Sequence, residues 1–381
     1  MIAGAYALWL ARQNNSIDIE DLPVFLKGAE RDALVRLFII EELRDHWDKY
    51  RPFLTSFDQK LLKEVIIESV PQDCHSEFSH TPKGVLELVT KLLGITPDEY
   101  VADLGTGAGE FLCHAYSCVP EAHYWGDEIA TRPIAISKIR AKVLGGDITV
   151  VQENMFDPSK DASKKFDKLF CFPPLGLRSI RMPWAENFMK SQPASLPKLK
   201  GTVSGEWLFA LKMLSCLKEG GKAVLAMAPG GLFNMPDNGI RRYLLERQLV
   251  EAVILLPARL FDFSAIPIAL VVFSKNNSKV HMIDASEMGE RMRRGAVLTD
   301  EDITQIVSAV NGKKYTWNAM VDYRDVIVHG NMDPSYHTLE HDIKLNDAVD
   351  FECIIKEILR GAQLTSSELE SLTSEKQTNF Q

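Results

Sequence analysis

The spacing of apolar positions changes character near residue 80. Before it, Leu34, Leu37, Ile40 and Leu43 recur at helical intervals, and Asp21, Leu22 and Pro23 form a helix start, so residues 1–74 are predicted as a helical lobe. Past Thr81, short apolar runs alternate with longer amphipathic stretches. Strands are predicted over 100–104, 122–126, 147–151, 168–172, 223–228, 250–256 and 266–273. Helices are predicted over 85–93, 111–118, 133–144, 206–217 and 240–248. Such alternation gives an α/β fold, a mostly parallel, doubly wound sheet with helices on both faces. The last two of the seven strands have no helix-length pattern between them and are expected to pair antiparallel. The alternating region, 75–285, is the expected core. After Asp284 the chain turns polar, Thr299 caps a further helix, and 346–360 completes a C-terminal extension, 286–381, with a disordered tail.

Composition narrows the class. No apolar run is long enough to span a bilayer, and acidic sequence soon follows the apolar N-terminal helix, which argues against a signal peptide. Six cysteines (74, 113, 118, 171, 216 and 353) lack any CxxC pairing, so reduced thiols, a cytoplasmic location and no metal site are expected. A net charge of −9 argues against a free-standing DNA binder, because phosphate contacts need clustered Lys and Arg. It leaves room for a subunit whose partner carries most of the DNA contact.

Candidate chemistry gathers at the ends of the predicted strands. Asp103 ends the first, and Gly105, Thr106, Gly107 and Gly109 make a tight turn into the next helix. Glycine there lets a ligand approach the backbone, as in nucleotide-binding crevices. The same turn occurs in dinucleotide-binding proteins, and as a purely structural feature. Past the second strand, Glu128 offers two acceptor oxygens suited to a ribose diol; Asp127 is expected to point back into the sheet edge. Past the third, Asn154 is a candidate acceptor for an adenine amino group and Phe156 a candidate packing surface for its ring. Each has a plainer reading as a loop residue.

The fourth strand distinguishes these readings. The run Phe166-Asp167-Lys168-Leu169-Phe170-Cys171-Phe172-Pro173-Pro174-Leu175-Gly176 resembles the catalytic loop of N-6 adenine-specific DNA methylases. The resemblance extends from about Ser76 to Tyr336 and is closest to the methylation subunit of type I restriction-modification systems. Supporting matches, in order, are Glu77 to Pro82, Trp125 to Ile129, Gly239 to Leu245, Leu249 to Ile254 and Asn331 to Tyr336. It implies an S-adenosylmethionine-dependent methyltransferase fold, Rossmann-like, and methyl transfer to a DNA adenine amino group. A separate specificity subunit would read the DNA within a hetero-oligomer. By resemblance, Phe78, Thr81 and Pro82 serve the methionine end of S-adenosylmethionine, Asp103 to Gly109 form the turn, Glu128 with Ile129 serves the ribose, and Asn154 the adenine.

The match breaks where the chemistry is done. The family loop reads Asn or Asp, Pro, Pro, aromatic; its side-chain oxygen and first prolyl carbonyl accept from the adenine amino group, and the aromatic ring stacks on the base. Here the corresponding residues are Phe172, Pro173, Pro174 and Leu175. Phe172 accepts no hydrogen bond and Leu175 has no π face. Losing one preorganised polar group costs about 2.7–4 kcal/mol in the barrier, and losing base stacking about 1–3 kcal/mol. Three readings follow: an active methyltransferase with another acceptor, a cofactor-binding scaffold or regulator, or a methyltransferase for a less polar substrate. Glu110 is a second departure, since it stands where the family has glycine.

Overall fold

The computed structural model describes residues 1–13, 22–70, 80–157, 164–177, 183–192, 196, 203–261, 267–293 and 295–342. Phe78 and the predicted helix over 346–360 lie outside these described residues. Four helices come first: α1 (Ile2–Gln13), α2 (Leu22–Ala29), α3 (Ala33–Leu54) and α4 (Gln59–Glu68). Asp32 and Asp58 start α3 and α4 by accepting from backbone amides of the first turn. Alternation then begins with α5 (Lys83–Leu93), β1 (Tyr100–Leu104), α6 (Glu110–Cys118), β2 (His123–Glu128), α7 (Thr131–Leu144), β3 (Ile148–Gln152) and β4 (Phe166–Cys171). It continues through α8 (Pro183–Lys190), α9 (Glu206–Cys216), β5 (Leu217–Met227), α10 (Asn238–Glu246), β6 (Val250–Leu255) and β7 (Ala269–Phe273). The chain then adds β8 (Lys279–Asp284), a hairpin of β9 (Glu290–Arg291) and β10 (Ala296–Val297), α11 (Asp300–Val310), β11 (Asn318–Asp322), α12 (Tyr323–His329) and α13 (Pro334–Asp342).

The main sheet has the order β11-β8-β6-β7-β5-β4-β1-β2-β3. Strand β7 runs antiparallel between β5 and β6, the pairing expected of the last two predicted strands. Among the described residues the sheet has nine strands rather than seven. Strand β8 extends β6 in parallel, and β11 closes that edge in antiparallel register. Both are short, and β11 is half solvated, so their apolar signal is weak against the polar sequence around them. Gly220 and Gly221 follow the predicted helix over 206–217 but lie within a strand. They lie in a bulge of β5, where Leu217 pairs with Phe166 and Lys222 with Lys168. Thr299 and Asp302 form a reciprocal capping box that starts α11.

Strand alternation divides the core. Leu169, Cys171, Leu225 and Met227 face a layer built with α9, α10 and α12, while Phe170, Val224 and Ala226 face α5, α6 and α11. A third cluster joins the N-terminal helices to α7 through Ala135, Ile136, Ile139 and Val143. Ion pairs of Glu42 with Arg132, Asp32 with Lys138 and Glu30 with Lys142 line that same contact. Met1–Thr338 form one contact unit; the second, Leu339–Gln381, is described only as far as residue 342. Among the described residues no helix is long and apolar enough to cross a membrane.

Candidate functional site at the strand ends

Strands β1, β2, β3, β4 and β5 run parallel, so the loops after them gather at one edge of the sheet. The turn after β1 passes through positive φ at Gly105, Gly107 and Gly109 before α6 begins. At Gly109 the requirement is strict, because a Cβ would stand 2.5 Å from Ser137 Oγ and 3.2 Å from the Ser137 backbone. At Gly107 a Cβ would meet open space, leaving that face of the turn available to a ligand. Thr81, Asp103, Gly107, Glu110 and Phe172 line the cleft in front of the turn. The glycine turn and the prolyl loop are therefore brought together.

Carboxylates hold the turn in shape. The Thr106 hydroxyl donates to Asp103 at 2.8 Å, the Gly105 amide to Asp127 at 2.8 Å, and the Gly107 amide to Glu128 at 3.0 Å. Asp127 is buried and turned inward, as its expected direction into the sheet edge requires; its Oδ2 has no hydrogen-bond partner. The second Glu128 oxygen accepts from the Ala130 amide at 2.7 Å. Ile129 beside it is exposed. Glu110 neither crowds the turn nor faces solvent freely. Its two oxygens take the Thr81 amide at 2.8 Å and His80 Nδ1 at 2.7 Å, which ties the segment before α5 to the turn. Pro82 is the N-cap residue of α5 in that segment.

Burial pushes the Asp103 carboxyl up to about 8; the Thr106 hydroxyl opposes this, and neighbouring Asp127, Glu128 and Glu110 add to it. Burial likewise raises Asp127 to about 7, against the Gly105 amide and with help from Glu153 and Glu128. Both carboxyls keep a proton in the folded chain that they lose in the unfolded chain above pH ~4. Their contribution is fully present below the unfolded value and disappears as pH rises through about 7 to 8. Thermal unfolding midpoints are therefore expected to fall from pH 5 to 8, each extra proton contributing a slope of up to about 1.4 kcal/mol per pH unit. Asp103→Asn should reduce that slope, and a midpoint that rises over this range in the parent protein would contradict the assignment.

Two sequence expectations need correction. Phe156 does not face a ligand ring: it is buried edge-on between Phe188 and Phe209, at 5.1 and 5.0 Å, in the core of the α9 layer. A large apolar side chain just past a strand end is drawn inward by the hydrophobic gain of burial. The Asn154 side-chain oxygen accepts from the Phe156 amide at 3.0 Å, forming a local turn, so its plainer reading as a turn residue describes this structure.

Strand β4 ends at Cys171, which makes Phe172 the first residue of the loop. Its ring packs edge-on against Phe261 at 5.2 Å. Pro173 is buried, Pro174 is exposed, and Leu175 packs beside Phe172 on the same core. The loop is held from below by α9: the Gly176 amide donates to Glu206 at 2.9 Å, and the Gly205 amide to the Leu177 carbonyl at 2.6 Å. Glu206 Oε2 is buried without a hydrogen-bond partner. Sequence reasoning missed Glu206 as a support of the loop; its only sequence mark is an acid in the first turn of a helix. A larger recess, about 600 Å³, lies elsewhere, near Asp284, Glu290, Asp302 and Trp317. Of the two, the strand-end cleft is the one that the sheet topology and the loop resemblance both indicate. No group of three or more potential metal ligands occurs among the described residues.

A mixed sheet of this order with N-terminal helices is the fold of S-adenosylmethionine-dependent methyltransferases. A type I restriction-modification methyltransferase subunit from Streptococcus thermophilus superposes with a TM-score of 0.70 at 20% identity, covering 87% of this chain and 79% of that one. The sequence model of the family described as N-6 DNA Methylase matches residues 64–337. The chain belongs to that family. It is 26% identical over 279 residues to the type I restriction enzyme MpnII methylase subunit of Mycoplasma pneumoniae, covering 66% of this chain and 51% of the relative. It is also 26% identical over 263 residues to the MjaVII methylase subunit of Methanocaldococcus jannaschii, covering 62% of this chain and 44% of the relative. The chain thus spans about half the length of the curated relatives it matches.

Proposed function

We propose that this chain is a methylation-subunit-type protein that binds S-adenosylmethionine but cannot activate an adenine amino group by the family's route. The observation that carries this reading is Phe172, an apolar ring packed on Phe261 in the position of the acceptor, lining the same cleft as Gly107. The cofactor fits the residues present. The open face at Gly107 admits it, and the carboxylates of Glu110 and Glu128 flank the turn on a side that suits a cationic ligand. Glu128 would hold the ribose hydroxyls, exchanging its backbone bonds for them, and Thr81 and Pro82, with Phe78, would serve the methionine end. When bound, the cofactor supplies an electrophilic methyl group on a positively charged sulfur.

What the chain's own residues do at the acceptor side is limited. The Pro173 carbonyl would accept one amino hydrogen, while Phe172 offers no second acceptor and Leu175 no stacking surface. A DNA partner would be reached through a separate specificity subunit, as the family resemblance implies; the relatives' names describe each as the methylase subunit of a type I restriction enzyme. The second reading, a cofactor-binding scaffold with no transfer at all, is favoured by the same Phe172. Calorimetry with S-adenosylmethionine, followed by a methyl-transfer assay on DNA with and without a specificity subunit, tests both. Binding with transfer roughly a thousandfold or more below that of an Asn- or Asp-loop relative is expected; binding with no transfer favours the scaffold. Absence of binding, or transfer at the relatives' rate, would overturn the proposal.

A further inference from the structure

Arg140 of α7 is 2% exposed, and no carboxylate pairs with it among the described residues. Its guanidinium is spent on three main-chain carbonyls. Nε donates to Ile66 at 3.1 Å, Nη2 to Ser69 at 2.6 Å, and Nη1 to Ala108 at 2.9 Å. Ile66 lies in the last turn of α4 and Ser69 is its C-cap, where helix carbonyls lack partners and a cation is favoured by the helix dipole. Ala108 stands between Gly107 and Gly109 and lines the cleft. One planar fork therefore joins the end of the N-terminal helical lobe to the middle of the glycine turn. The chain leaves α4 at this fork and comes back to the turn at His80 and Thr81, which Glu110 holds. Ser69 and Thr81 are thus both tied to the glycine turn or the residue that follows it, through Ala108 and Glu110.

We propose that Arg140 is a positioning residue that makes the end of α4 and the conformation of the glycine turn a single equilibrium. Binding at the turn would then be felt by the lobe, and a partner engaging the lobe would change affinity at the turn by the same factor. Lysine cannot replace this function, because a single ammonium cannot span three carbonyls on two elements as a rigid fork does. The part concerning ligand affinity rests on the cofactor reading above.

The test is amide hydrogen exchange on the full, ligand-free chain, comparing parent with Arg140→Met and Arg140→Lys. The lysine variant serves if the methionine variant does not fold. Exchange at residues 105–113 and 62–69 is expected to rise together, roughly tenfold or more, with the β6 and β7 amides unchanged. Faster exchange at the α4 end alone would reduce Arg140 to a helix cap and overturn the proposal, as would no change at either place. S-adenosylmethionine titration forms the second arm. Arg140→Lys is expected to weaken binding by roughly 5- to 150-fold, the usual span of coupling between sites. In the parent, the ligand should slow exchange at the α4 end. An unchanged affinity in the variant overturns the coupling. A parent chain that binds no ligand overturns the cofactor reading instead, and the ligand-free exchange still decides the role of Arg140.

Discussion

Replacing Phe172 by Asn and Leu175 by Tyr together is expected to raise methyl transfer to DNA adenine by about three orders of magnitude. The loop that would receive these side chains is already shaped for them. Pro173 is buried, Gly176 is fixed by Glu206, and Leu177 is fixed by Gly205, so the backbone does not depend on the Phe172 ring. The cost is mainly the lost contact with Phe261, about 0.5–1.5 kcal/mol for an aromatic pair beyond its area burial. Phe172 is only half-buried, so a carboxamide there keeps access to water and is not stranded. Against that cost stand about 2.7–4 kcal/mol for a preorganised acceptor and about 1–3 kcal/mol for base stacking. The two act on one bound base, so the double substitution should exceed either alone. The measurement is incorporation of labelled methyl groups into DNA at saturating cofactor, with the specificity partner present. A double variant that binds the cofactor but stays silent would show that the loss extends beyond the loop.

Gly109→Ala is expected to remove cofactor binding and to destabilise the fold through both backbone strain and overpacking, whereas Gly107→Ala should remove binding with only the backbone penalty. A side chain at Gly109 must adopt φ near 81°, at a cost of about 1–2 kcal/mol, the left-handed penalty for a residue with a Cβ. It must also push against Ser137 Oγ at 2.5 Å, Cβ at 3.1 Å and Cα at 3.2 Å. Overpacking of that kind adds about 1–3 kcal/mol. Relief requires α6 and α7 to separate, which drags the turn with them. Adding Ser137→Ala removes the nearest atom and leaves the other two, so it should rescue stability only in part. At Gly107 the backbone penalty applies, but no atom lies within 4 Å of the new Cβ, so only an incoming ligand meets it. Thermal unfolding and calorimetry on the two variants separate these outcomes. Parent-like melting of Gly109→Ala would mean that α6 and α7 yield freely.

The sequence made the frame of the site readable because its signals are local. The turn after β1, the acid that ends β2 and the prolyl loop past β4 each lie within a few residues of the strand that carries them. Parallel strands then bring those ends to one edge without further information. The supports of the site were not readable in the same way. Glu110 reaches Thr81 across 29 residues, and Arg140 reaches Ile66 across 74. Neither pairing leaves a periodic trace in the chain. The two added strands were missed for a related reason: an edge strand needs little apolar surface, so β11 resembles a loop until β8 is beside it.

By itself the sequence determined the alternating architecture, the glycine turn and the loss of an acceptor at Phe172, since period, glycine placement and side-chain chemistry are properties of short segments. Tertiary structure alone decided that Phe156 is core, that Asn154 closes its own turn, and that Arg140 links the helical lobe to the cleft. Those roles depend on which surfaces meet, and burial and hydrogen-bond satisfaction across distant elements settle that only in the folded chain.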